Sequence, residues 1–156
     1  MIDNTLVKIG SDAGFKTFMA NGYHETNADI ISNTYGTGTG SAAADIGVDN
    51  LGFGSPDSGN IFRFGFNLTV TVTDGGSPVS GATVVVKDSG GNVLRSGYTT
   101  NGSGEVVVDV PTFYRQGAAF GSTSYNALTV EATSGSLTGS DTISPTSDDT
   151  ISVEVD

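Results

Sequence analysis

The sequence predicts an all-β protein: a seven-stranded antiparallel β-sandwich over residues 61–156, preceded by a β-rich extension or arm. Three observations carry this. From Phe62 to Thr73 the chain reads FRFGFNLTVTVT, with apolar and other residues alternating at the period of a half-buried strand. Turn signals then recur every eight to twelve residues, the spacing of short sandwich strands. Finally, 23 Gly, 18 Ser and 20 Thr crowd the 156-residue chain, a composition that suits turns and strands and suits helices poorly.

The first strand places Phe62, Phe64, Phe66, Leu68, Val70 and Val72 on one face, with Arg63, Asn67, Thr69, Thr71 and Thr73 on the other. DGGSP (Asp74–Pro78) is a turn, because Gly reaches positive φ freely and Pro fixes φ near −65°. A second strand points Ala82, Val84 and Val86 inward, and DSGGN (Asp88–Asn92) is a hairpin loop leading to VLRSGYTT. NGSG (Asn101–Gly104) turns into a fourth strand, with Val106, Val108 and Val110 inward, which Pro111 ends. After the excursion TFYRQGAAFGSTS comes a fifth strand with Leu128, Val130 and Ala132 inward. Leu137–Ile143 and a last strand, with Ile151, Val153 and Val155 inward, complete seven.

Residues 1–60 read as an assembly region or arm. Two apolar patches, Ile2–Ile9 and Phe15–Met19, precede the polar segment NGYHETNAD and the low-complexity run NTYGTGTGSAAADIG. GTGTG is too flexible for a helix and too poor in side chains for a stable strand. Thr26–Ser32 has room for one helical turn, and residues 48–60 read as a turn-rich linker or wrapping arm. The first residues lack the basic and apolar regions of a signal peptide. The expectation is either a removed leader or a particle assembled inside a cell and released.

Charge and composition exclude several function classes. The net charge of −11, from 17 acids against six bases, repels phosphate backbones and anionic headgroups. Neither a nucleic-acid partner nor membrane insertion is expected. Acid excess with few lysines suits a high-salt habitat, or an ordinary acidic extracellular domain. With no Cys and one His, His24, thiolate and imidazole metal clusters are excluded. No Gly-x-Ser-x-Gly elbow accompanies His24, so it reads as a surface residue. Gly36-x-Gly38-x-Gly40 lacks the lysine of a phosphate loop. No cofactor and no catalytic residue are expected. The turn carboxylates Asp74, Asp88 (beside Asn92), Asp148 and Asp149 are candidates only for weak cation or Ca²⁺ binding, since none has EF-hand spacing. Asn67-Leu-Thr69 and Asn101-Gly-Ser103 match the N-glycosylation pattern.

The stretch LTVTVTDGGSPVSGATVVVKDSGGNVLRSGYTTNGSGEVVVDVP, Leu68 to Pro111, resembles the carboxypeptidase-regulatory-like (transthyretin-like) group of Ig-like domains. The shared elements are Pro-Val-x-Gly-Ala-x-Val, a Gly-Asn hairpin, a Thr-Thr segment and a Gly-Glu entry into a valine strand. The resemblance implies a seven-stranded Ig-like sandwich over residues 68–156, used as a surface, secreted or virion module without an active site. TYGTGTGSAAADIGVDNLG looks like a segment of tailed-virus structural proteins, and with the acidity this points to a halophilic, archaeal host.

The function expected is therefore a non-enzymatic structural protein of a virus particle: a capsid decoration, turret or tail-associated subunit located in the virion. Its partners would be further copies of itself, other structural proteins of the particle, and host-surface glycans. The alternatives are an archaeal or bacterial cell-surface or filament subunit assembling through an N-terminal strand, and a carbohydrate- or cation-binding accessory module. Ile2, Leu6, Val7, Ile9, Phe15 and Phe18 supply more apolar surface than a free tail should expose. With Phe62, Phe64 and Phe66 they are the candidate assembly residues.

Overall fold

The computed structural model describes the backbone of residues 5–6, 18–20, 27–31, 33–35, 38–40, 51–53, 61–116 and 121–156. Side chains are described for residues 61, 63–114 and 123–156. All regular structure among these is β, in fifteen strands. The chain divides into two compact units, one formed by Met1–Gly65 with Phe113–Ser124, the other by Phe66–Thr112 with Tyr125–Asp156.

The second unit is the sandwich. The alternating stretch is a single strand, β7 (Ile61–Asp74). It returns through the two-residue turn Gly75–Gly76 into β8 (Ser77–Pro78), pairing Asp74 with Ser77 and Thr73 with Pro78. Both turn glycines have positive φ (55° and 78°), the geometry of a tight hairpin whose twist matches its strands. β9 (Thr83–Lys87), β10 (Val93–Thr99), β13 (Leu128–Ser134) and β14 (Leu137–Ile143) form a wholly antiparallel sheet in the order β10-β9-β13-β14. Facing it are β11 (Glu105–Gln116), β7 and β15 (Asp149–Glu154), in that order. β15 runs parallel to β7, from Asp149 opposite Leu68 to Glu154 opposite Thr73.

The inward positions behave as the two-residue period requires. Leu68, Val70 and Val72 of β7, Val84 and Val86 of β9, Val108 and Val110 of β11, and Leu128 and Val130 of β13 are all fully buried in one cluster. Burying a valine or leucine contributes about 1.5–3 kcal/mol, so this aliphatic set dominates the stability of the unit. Thr100, with Thr112 one of two buried polar residues among those described, is satisfied locally. Its hydroxyl donates to the Val79 carbonyl (2.7 Å) and accepts from the Ala82 amide (2.9 Å), which satisfies it in the interior.

Residues 61–156 hold nine strands rather than seven, the additional ones being β8 and β12 (Gly121–Ser124). Pro111 does not end its strand: β11 continues to Gln116, and the expected excursion is largely a hairpin pairing Phe113 with Ser124 and Gln116 with Gly121.

In the first unit the described backbone corrects three expectations. Asn27–Ile31 (β3) is not a helical turn but a strand running parallel to Ile61–Gly65 of β7. Gly38–Gly40 (β5), within GTGTG, pairs antiparallel with Asn33–Tyr35 (β4). Leu51–Phe53 (β6), within the expected linker, pairs parallel with Phe18–Ala20 (β2). Each is a short segment of weak or ambiguous propensity that acquires its conformation from a non-local partner. β1 (Thr5–Leu6) likewise runs parallel to β4.

Candidate functional site

The polar side chains of the sandwich lie at its turns, along its edges and on the outer faces of its sheets. Every sheet has two edge strands whose outer N–H and C=O groups invite pairing. Here the edges of the four-stranded sheet are β10 and β14; those of the facing sheet, within this unit, are β11 and β15.

On one flank, β14 meets the end of β15 through backbone. The Thr138 amide donates to the Asp156 carbonyl and the Asp156 amide to the Thr138 carbonyl, both at 3.3 Å. Gly139 makes this approach possible. A Cβ built there would lie 1.9 Å from the Glu154 carbonyl oxygen and 3.2 Å from a Val153 methyl. An interior strand glycine often marks such an approach.

On the other flank the contact is made by side chains. Arg95 of β10 reaches Asp109 of β11: its Nε donates to the Asp109 carbonyl oxygen at 2.7 Å, and its Nη2 lies 3.1 Å from the carboxylate. The Tyr98 hydroxyl donates to the other carboxylate oxygen. The Arg95 and Asp109 side chains are only 16% and 20% exposed, which strengthens the pair relative to a surface one. Gly97, with φ of 83°, and two register shifts let β10 twist out of strict pairing with β9 here.

Asp88, Asp148, Asp149 and Glu154 are held by the chain's own donors. Oδ1 of Asp88 accepts from the amides of Gly90 and Asn92, both at 2.8 Å, and Oδ2 accepts from the Asn92 amide nitrogen at 2.9 Å. The Asn92 side chain, then its backbone amide, hold the Asp88 carboxyl below its ordinary value. Glu154 accepts from the Thr73 hydroxyl and from the Gly76 amide, and the Thr73 bond above all holds its carboxyl low. Asp148 accepts from the Asn67 amide at 3.0 Å, and Asp149 from Thr150 at 2.8 Å. Lys87 and Glu131 pair across β9 and β13 at 2.6 Å. Among the described residues no group of three or more His, Asp or Glu is placed to hold a metal.

An open concavity of about 460 Å³ lies over β13 and β14, lined by Glu131, Thr133, Thr138, Gly139, Ser140 and Asp156 beside Ala132. No aromatic ring lines it, so it offers a sugar no stacking platform.

Of the candidate assembly residues, Phe64 and Phe66 are 1% and 3% exposed within the chain. The Phe64 ring stacks on Phe113, centroids 5.0 Å apart and planes 14° from parallel. These two rings are covered by the chain's own packing and offer no surface to a neighbouring subunit. Phe62 lies in β7, Leu6 in β1 and Phe18 in β2 as backbone positions; Ile2, Val7, Ile9 and Phe15, like His24, fall outside the described residues. Reading the sequence missed Gly139, Arg95 and Asp109. Of these only the glycine, inside an otherwise regular strand, carried a local signal.

No family model matches the chain, and no curated protein matches it. A solved structure described as "Crystal Structure of S.CueP" is 20% identical, over 60% of this chain, with a TM-score of 0.41. The match spans 64% of that structure's length. A likeness of that size carries no argument about role.

Proposed function

We propose that the chain is a non-catalytic structural subunit of a surface assembly, in the first place a virus particle, in which the sandwich of residues 66–112 and 125–156 is the displayed module. The observation that supports this is the use of its charged side chains. Asp88, Asp109, Glu131, Asp148 and Glu154 each brace a turn, a sheet edge or a neighbouring strand. A hydrolytic or metal centre needs carboxylates turned toward a cleft; of these only Glu131 borders the open concavity, and it is paired with Lys87.

Assembly then falls to the region before residue 61, with Ile2, Leu6, Val7, Ile9, Phe15 and Phe18 as the contact set. The acidic, hydroxyl-rich composition keeps the displayed module soluble where salt screens charge. The test is light scattering of the full chain beside a form lacking residues 1–20, over a range of protein and salt concentrations. A full-length oligomer that the deletion converts to monomer supports the reading; two identical mass distributions overturn it. Mass spectrometry of purified particles from the source organism, with this chain among the virion proteins, distinguishes the viral setting from a cell-surface one.

A further inference from the structure

We propose that Asn101 is a site of spontaneous covalent change, converting in the folded protein to aspartate and isoaspartate through the Gly102 amide. The turn joining β10 to β11 is pinned by Asn101. Its backbone amide donates to the Glu105 carbonyl (2.8 Å) and its carbonyl accepts from the Gly104 amide (3.0 Å). Its side-chain Oδ1 accepts from the Ser103 and Glu105 amides, at 2.8 and 3.1 Å.

Two further facts make this arrangement reactive. Among the described residues nothing accepts a hydrogen bond from Nδ2 of Asn101 or from the Gly102 amide, and both residues are exposed. Gly102 presents no side chain to shield its nitrogen.

The chemistry follows from these positions. The Gly102 nitrogen loses its proton and bonds to Cγ of Asn101. Negative charge develops on Oδ1, where the Ser103 and Glu105 amides stabilise it as preorganised donors do for any tetrahedral intermediate. The Cγ–Nδ2 bond breaks and the nitrogen, unrestrained by any partner, leaves as ammonia, taking from solvent a proton equal to the one the Gly102 nitrogen gave up. One water then opens the cyclic imide at either carbonyl. Opening at one leaves an ordinary aspartyl residue in place of the asparagine; opening at the other gives an isoaspartyl link, with one more methylene in the main chain. Either product adds a negative charge to a chain already at −11.

The other asparagines whose side chains are described lack this combination. Asn92 has its Nδ2 engaged by Asp88 and is followed by Val93, while Asn67 and Asn126 are followed by Leu68 and Ala127.

The experiment incubates the folded full chain, and in parallel the urea-unfolded chain, at mildly alkaline pH and 37 °C. It follows intact mass, anion-exchange elution and isoaspartate by peptide mapping. The expected result is a gain of about 1 Da, with a later-eluting acidic species, mapped to residue 101. Mapping separates it from Asn21-Gly22, the same dipeptide outside the described residues. Gly102→Ala, where a Cβ meets nothing within 4 Å, should stay folded and convert severalfold more slowly. Asn101 remaining intact in the folded chain while the unfolded chain converts would overturn the proposal, as would a Gly102→Ala chain converting at the wild-type rate.

Discussion

Gly139→Ala is the sharpest probe of how the sandwich closes. The added methyl would sit 1.9 Å from the Glu154 carbonyl oxygen and 2.8 Å from its carbon, against an ordinary contact of 3.4 Å or more. β14 and β15 would have to separate locally by about 1.5 Å, the difference between 3.4 and 1.9. The Thr138–Asp156 bonds are already 3.3 Å long and do not survive such a shift. Losing two exchanged backbone bonds costs about 2 kcal/mol, and overpacking against Val153 costs about 1–3 kcal/mol more. A total near 3–5 kcal/mol lowers the melting temperature of a unit this size by roughly 12–40 °C. Urea titration and thermal melts by circular dichroism measure both quantities. Gly102→Ala is the matched control, with no clash and no positive φ, and should stay within about 0.5 kcal/mol of wild type. If Gly139→Ala melts within a few degrees of that control, the backbone closure of this flank contributes nothing and the reasoning fails.

Asp109→Ala removes the carboxylate that pairs with Arg95 and accepts from Tyr98, leaving Arg95 its bond to the main-chain carbonyl of residue 109; chemical denaturation should show a loss of about 1–3 kcal/mol, with Asp109→Asn losing less. Phe64→Ala empties the stack on Phe113 and should cost about 3–5 kcal/mol in the first unit, followed by near-ultraviolet circular dichroism. Asp88 and Glu154 both have folded carboxyls below their ordinary values of 3.8 and 4.5. Each therefore stabilises the fold above its unfolded value and loses that contribution as pH falls through the lower folded one. Melting temperature should decline from about pH 4.5 downward, and Glu154→Gln combined with Asp88→Asn should flatten the decline; an unchanged acid limb would refute those two bonds as its source.

Much of the sandwich was legible because its core positions alternate without interruption. Val84 and Val86, Leu128 and Val130, and Ile151, Val153 and Val155 all lie where the two-residue period places them. The glycine-rich corners at Gly75–Gly76 and Asp88–Asn92 were equally legible, since turn chemistry is local. What escaped depends on distant partners. Asn27–Ile31 becomes a strand because Ile61–Gly65 lies beside it, and nothing within five residues of sequence states that. Arg95 and Asp109 stand fourteen positions apart on strands of different sheets, so neither residue signals the other. Pro111 misled because the strand is carried past it by a distant partner, Gly121–Ser124, which pairs with Phe113–Gln116.

The two flanks of the sandwich are closed by unlike means, and the difference bears on assembly. The β14–β15 flank uses main-chain groups, leaving at Thr138 and Asp156 no free donor or acceptor for an incoming strand. The β10–β11 flank uses a charge pair and a tyrosine, and it stands beside the two exposed valines Val93 and Val107. Raised salt weakens such a pair only modestly when its side chains are four-fifths covered, so this flank stays latched where surface charges are screened. The main-chain groups of Thr138 and Asp156 and the Asp109 carbonyl are thus occupied by the sandwich's own contacts. Under the proposed role these contacts keep part of each flank inert while the first sixty residues assemble.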